Sequence, residues 1–134
     1  MEKVEFKMML PNINLLYLSA HVLIIMDSTY SSRFWTQFEA WLSMQECTGA
    51  GLQPAAEANR RSAIVCIHNA EMQFDGAKLE RTWALRSPAE AHQVLSRNDI
   101  VVTNQSDKDT QLPKLLALNS FVVEQFRQNV EQIV

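Results

Sequence analysis

The stretch Val22-Leu23-Ile24-Ile25-Met26-Asp27-Ser28-Thr29-Tyr30-Ser31-Ser32-Arg33-Phe34-Trp35-Thr36-Gln37-Phe38-Glu39 holds a strand, a turn and the start of a helix in sequence. Five apolar residues run from Val22 to Met26 without a break and stop at Asp27. A strand buried on both faces reads this way, because neither side of its pleat meets water. The polar turn Asp27-Ser28-Thr29 then leads into a helix expected from about Ser31 to Gln45. At about 100° per residue, Phe34, Trp35, Phe38, Trp41 and Leu42 fall on one broad face, with Glu39 at its edge.

On either side the same alternation continues. Ala63-Ile64-Val65-Cys66-Ile67 reads as a second buried strand, with Cys66 as one of its hydrophobes, and Ile100-Val101-Val102-Thr103 as a third. Upstream, Phe6, Met9, Leu10, Ile13, Leu16 and Tyr17 recur at helical spacing, so residues 3 to 19 read as a helix kinked or broken at Pro11. Val4, Phe6 and Met8 also fit an alternating strand. Residues 47 to 62 hold Gly49, Gly51 and Pro54 and read as a loop with one helical turn. In 71 to 86, Gly76 limits the helix to the second half. Ser87 as N-cap, Pro88 and the capping-box Glu90 open a further helix to about Ser96. A polar loop, Asn104 to Thr110, precedes a long last helix with Leu112, Leu115, Leu116, Val122, Val123, Phe126, Val130 and Ile133 on one stripe.

Strands alternating with helices predict an α/β fold with a short parallel sheet flanked by helices, one domain over residues 1–134. Three strands are few for such a sheet. Either a further strand lies near the N-terminus, or this is a truncated α/β domain whose earlier strands lie upstream.

Composition excludes several functions. Of 134 residues 47% are hydrophobic and 20% charged, and the net charge of −3 gives no basic field for nucleic acid or an anionic membrane. Three glycines leave no phosphate-cradling loop. His21, His68 and His92 are scattered without metal-ligand spacing, so no metal and no cofactor is expected. Cys47 and Cys66 form no disulfide framework, which predicts a reduced, cytoplasmic protein. Leu15 to Met26, interrupted by Ser19 and His21, is too short and polar to span a bilayer, and Glu2 and Glu5 are foreign to a signal peptide.

Glu39 is the candidate for chemistry. It lies one turn after Trp35 on a helix that follows a buried strand, near the strand's C-terminal end, where open α/β sheets bind ligands. Apolar neighbours raise a glutamate's pKa and a nearby arginine lowers it, so Arg33 competes with the aromatic face. The alternative is a boundary residue of an amphipathic helix, solvated or paired with Arg33. His68, just beyond the second strand, either faces the same crevice or simply caps the strand's exit. Thr103 to Lys108 reads as a surface turn, and Trp35, Trp41 and Trp83 as core.

Val22 to Asp27 followed by Tyr30, Ser32, Trp35 and Glu39 resembles the third strand and following helix of Toll/interleukin-1 receptor (TIR) domains, whose pattern is Y-x-x-S-x-W-C-x-x-E. Tyr30, Trp35 and Glu39 match in identity and spacing; Ser32 stands one place early and Thr36 replaces the cysteine. Leu16-Tyr17 is similar to a pair found in the heterokaryon-incompatibility relatives of that family. The resemblance covers residues 13 to 68, and the family's leading strand and loops have no counterpart before Val22. It implies a flavodoxin-like strand order and a signalling module that associates with other TIR-like domains or with itself. It also implies an alternative activity, cleavage of the nicotinamide–ribose bond of NAD. Glu39 would then be the catalytic carboxylate, and Tyr30, Ser32, Arg33, Trp35 and His68 the candidate substrate-binding residues. An anion beside the ribose stabilises an oxocarbenium-like transition state, and nicotinamide leaves without a general acid. If Val22–Met26 lacks an inner neighbour, it forms a hydrophobic sheet edge, which predicts association.

Overall fold

The computed structural model describes residues 13–133. In chain order the elements are α1 (Ile13–Ser19), β1 (Val22–Met26), α2 (Phe34–Ser43), β2 (Gln45–Thr48), β3 (Gly51–Pro54), β4 (Ser62–Cys66), α3 (Ala77–Trp83), α4 (Pro88–Leu95) and α5 (Gln105–Ile133). Short 3₁₀ turns at Tyr30–Ser32 and Glu57–Asn59 and a π-helical turn at Met72–Gly76 complete the path. The expected kink at Pro11 and the alternative strand at Val4 to Met8 lie outside the described residues. None of the described helices is long and apolar enough to cross a membrane.

The chain is α/β, as its alternation predicts. β1 pairs in parallel with β4, from Val22 opposite Ser62 to Met26 opposite Cys66, and Ile67 N–H donates to the Met26 carbonyl at 2.9 Å to close the ladder. β2 and β3 form a separate antiparallel hairpin. The two apolar runs are strands, but not strands buried on both faces. Ile24 and Met26 point into the core, whereas Leu23, Ile25, Val65 and Ile67 are exposed on the opposite face. Cys66 is half-buried instead of fully buried.

The expected third strand at Ile100–Thr103 reduces to one parallel bridge between Arg33 and Val101. The reason is local. Val101 N–H donates to the Ser32 carbonyl at 2.7 Å and its carbonyl accepts from Phe34 N–H at 2.8 Å. There α2 begins and turns the partner backbone away. Residues 47 to 62 are a loop only in their second half, where Glu57–Asn59 forms the expected single helical turn; the first half is a hairpin. Thr48 and Gly51 close a two-residue turn, Gly51 adopts φ +103°, and a hairpin forms around it.

The centre of the core is α2. Phe34, Phe38, Trp41 and Leu42 are buried together with Gln37, Ala40 and Ser43, so the helix is covered nearly all round. It starts at Phe34 and ends at Ser43, shorter than expected, because the Tyr30–Ser32 turn and Arg33 precede it. Its rings stack in series, Phe34 on Phe38 at 6.0 Å and Phe38 on Trp41 at 6.5 Å between centroids. Trp41 Nε1 donates to the Arg86 carbonyl at 3.0 Å, and Trp83 Nε1 donates to Gln37 Oε1. α1 and α4 pack on α2, and α4 packs on α5.

α4 carries the predicted capping box: Ser87 N–H donates to Glu90 Oε2 at 2.8 Å and Glu90 N–H to Ser87 Oγ at 3.3 Å. α5 departs from expectation at both ends. The polar stretch after Asn104 is already its first turn, because Asn104 Oδ1 accepts from Ser106 N–H at 3.2 Å and from Ser106 Oγ at 2.8 Å. Of its apolar stripe only Leu115 and Val122 are fully buried, and Lys108 lies in line with them.

Candidate functional site

Two features draw on the turn and helix that follow β1. The first is a polar cluster between α1 and α2. Glu39 of α2 lies near the Tyr17 phenol of α1, close enough for each group to shift the proton affinity of the other. Burial raises the Glu39 pKa above the usual carboxylate value, against the opposing pull of Tyr17 and Arg33. The same pair pushes the Tyr17 phenol up to about 12, chiefly through burial and then through the neighbouring carboxylate. Tyr30 is raised as well, by burial first and then by Glu39 and Tyr17. The competition between apolar surroundings and Arg33 is therefore won by desolvation.

Tyr30 is held rigidly. Its hydroxyl donates to the Thr36 carbonyl at 3.0 Å, while Thr36 Oγ1 returns a bond to the Tyr30 carbonyl at 2.9 Å. Gln37 Nε2 adds a third bond to that carbonyl at 3.4 Å. Tyr30 is thus a buried brace between turn and helix, with its phenol committed to the backbone. Asp27 organises the turn before it: Oδ1 accepts from Thr29 N–H at 2.9 Å and Thr29 Oγ1 at 2.7 Å, and these bonds hold its carboxyl below the ordinary value.

The second feature is a cleft of about 310 Å³ between the start of α2 and the segment after Ile100, lined by Ser32, Arg33, Phe34, Trp35, Val101 and Thr103. Three of the candidate residues, Ser32, Arg33 and Trp35, meet here. Glu39 and Tyr30 stand outside it, joined to it through the charge of Arg33. His68 lines neither feature. It is exposed beyond β4 with φ +54°, a left-handed backbone that ends the strand. Among the described residues no three His, Cys, Asp or Glu side chains gather as a metal-ligand set.

Sequence reasoning passed over two buried polar residues. Gln37 satisfies both Trp83 and Tyr30, and nothing in its apolar surroundings marks it. Lys108 is buried, not part of a surface turn, and its Nζ donates to the carbonyls of Arg97 at 2.7 Å and Ile100 at 2.8 Å. Its signal was its place about two turns (seven residues) before Leu115, itself seven before Val122. Comparison of the chain with protein-family models, curated proteins and solved structures gave no match.

Proposed function

We propose that this chain is a TIR-like signalling module of the cytoplasm that works by association, meeting other TIR-like domains or copies of itself through the bare face of its parallel sheet. One observation carries the reading: Leu23 is 61% and Ile25 54% exposed, side by side with exposed Val65 and Ile67. Parallel sheets are ordinarily covered on both faces, and a contiguous apolar patch marks an interaction site. Among the described residues β1 and β4 pair only with each other, so their outer edges also offer unpaired backbone groups. The test is light scattering over a range of concentrations with the wild-type chain beside Ile25→Glu and Val65→Glu. Both side chains are exposed, so the fold is retained, and self-association weakens at least tenfold. Association that ignores both substitutions refutes the reading.

A second reading, NAD cleavage by Glu39, is supported by the desolvated carboxylate and by Arg33, whose charge acts on Glu39 and which also lines the cleft. Its assay is nicotinamide release from NAD by wild type and Glu39→Gln. Release abolished by Glu39→Gln favours it; release unchanged assigns the chemistry elsewhere.

A further inference from the structure

A cleft of about 180 Å³ opens between α2, α3 and the segment that follows α4, and it shares no lining residue with the cleft at Trp35. Its floor is apolar: Leu79, Trp83 and Ile100 are buried beneath it, and half-buried Val94 adds to the wall. An apolar space of about 150 Å³ is enough to hold a benzene-sized ring. The cleft therefore has room for one aromatic ring.

One polar group lies within that apolar lining. Gln37 is only 4% exposed, and an amide side chain carries two donor hydrogens and two acceptor lone pairs. Its Oε1 accepts from Trp83 Nε1 and its Nε2 donates to the Tyr30 carbonyl at 3.4 Å. One donor and one acceptor site of a buried amide are left unspent. Such a group favours a ligand that brings a matching hydroxyl, because folding has already removed the amide from water.

The rim carries an excess of positive charge. Lys78 and Arg97 stand there with one carboxylate, Asp99, whose two oxygens are both taken by Arg97, at 3.0 and 2.7 Å. Lys78 forms an ion pair with none of the described residues, so one ammonium group is left for an incoming anion. We infer that this cleft binds a small hydroxy-substituted aromatic carboxylate, its ring over Leu79 and Trp83, its hydroxyl at Gln37 and its carboxylate at Lys78. Gln37 is deep and Lys78 exposed, so the two polar ends belong on opposite sides of the ring. A doubly charged phosphate finds one unmatched cation only, and has no use for the apolar floor. The site stands apart from the sheet face and from Glu39 and depends on neither.

The probe is para-hydroxybenzoate, titrated into the isotope-labelled chain and followed by NMR through the backbone amides. Saturable binding is expected with a Kd on the order of 1 mM, the largest shifts falling at Lys78, Leu79, Thr82 and Val94 and not at Trp35 or Val101. Benzoate, which lacks the hydroxyl, binds about fivefold more weakly. Lys78→Gln changes an exposed side chain and keeps the fold; it weakens para-hydroxybenzoate about threefold and leaves the neutral para-hydroxybenzyl alcohol unaffected. Shifts that do not saturate, shifts centred on Trp35, or an affinity indifferent to the ring hydroxyl or to Lys78 overturn the site.

Discussion

Nζ of Lys108 donates to the carbonyl of Ile100 at 2.8 Å, reaching from the second turn of α5 across to the segment that bridges Arg33. A second bond to the Arg97 carbonyl at 2.7 Å and the Phe34 ring at 5.9 Å surround the ammonium group. Burial lowers its pKa, with Asp99 and Asp109 opposing. Lys108→Met keeps the stem, takes the ammonium donor from the Ile100 carbonyl and leaves the Arg97 carbonyl only the longer bond from Ile100 N–H at 3.2 Å, so it destabilises the fold by about 2–4 kcal/mol. Urea unfolding measures this. A loss below about 0.5 kcal/mol means water replaces the ammonium without penalty.

The hairpin depends on Gly51 in two ways. Its φ of +103° strains any other residue, and a Cβ there runs into the amide of Asn119, which accepts a hydrogen bond from Leu52 N–H at 2.8 Å. Gly51→Ala therefore destabilises by about 1–3 kcal/mol. Gly49→Ala, with open space around it, changes stability by less than about 0.5 kcal/mol. Combining Gly51→Ala with Asn119→Ala recovers the steric part, so the double variant falls short of the sum of the two losses. Strict additivity in thermal melts contradicts the clash.

The legible parts were those whose causes are local in sequence. The capping box at Ser87 and Glu90 and the apolar runs of β1 and β4 depend on neighbouring residues alone, and the structure has them where the pattern puts them. What covers a strand is another matter. Val22 to Met26 is equally apolar on both sides, so the run cannot tell a face packed against a helix from the face of Leu23 and Ile25 that none of the described elements covers. Ile100–Thr103 is as strand-like as β4, but its partner backbone at Arg33 continues straight into α2. At the candidate site, Ser32, Arg33 and Trp35 are brought together because they share one helix start, whereas His68 belongs to a different strand end and is left apart.

Trp35 and Trp41 lie six residues apart on one helix and differ sharply in surroundings. Trp41 is 0% exposed and donates from its indole to the Arg86 carbonyl; Trp35 is half-buried at the cleft. Trp41→Ala destabilises by about 3–5 kcal/mol through the cavity and the unpaired carbonyl. Trp35→Ala loses about 1–2 kcal/mol, because part of the ring lies at the cleft and only its inner side packs on the core. Equal losses in chemical denaturation place Trp35 in the core after all.

Glu39 makes stability depend on pH in a direction opposite to that of a paired surface carboxylate. Its folded pKa lies above the ordinary value of 4.5, so the folded chain holds the proton more tightly than the unfolded chain does. The corresponding stabilisation is complete below pH 4.5 and is lost as the pH rises through the raised folded value. Glu39→Gln imitates the protonated acid at every pH. The variant therefore melts higher than wild type at pH 7, and the difference vanishes at about pH 4. The Tyr17 phenol reports the same contact. Its pKa near 12 falls in Glu39→Gln but stays above 10.0, since burial is the larger cause and remains. Ultraviolet titration of tyrosinate follows it. A variant that melts lower than wild type at pH 7 shows that the ionised carboxylate is a stabilising partner of Arg33, and that Arg33 outweighs desolvation.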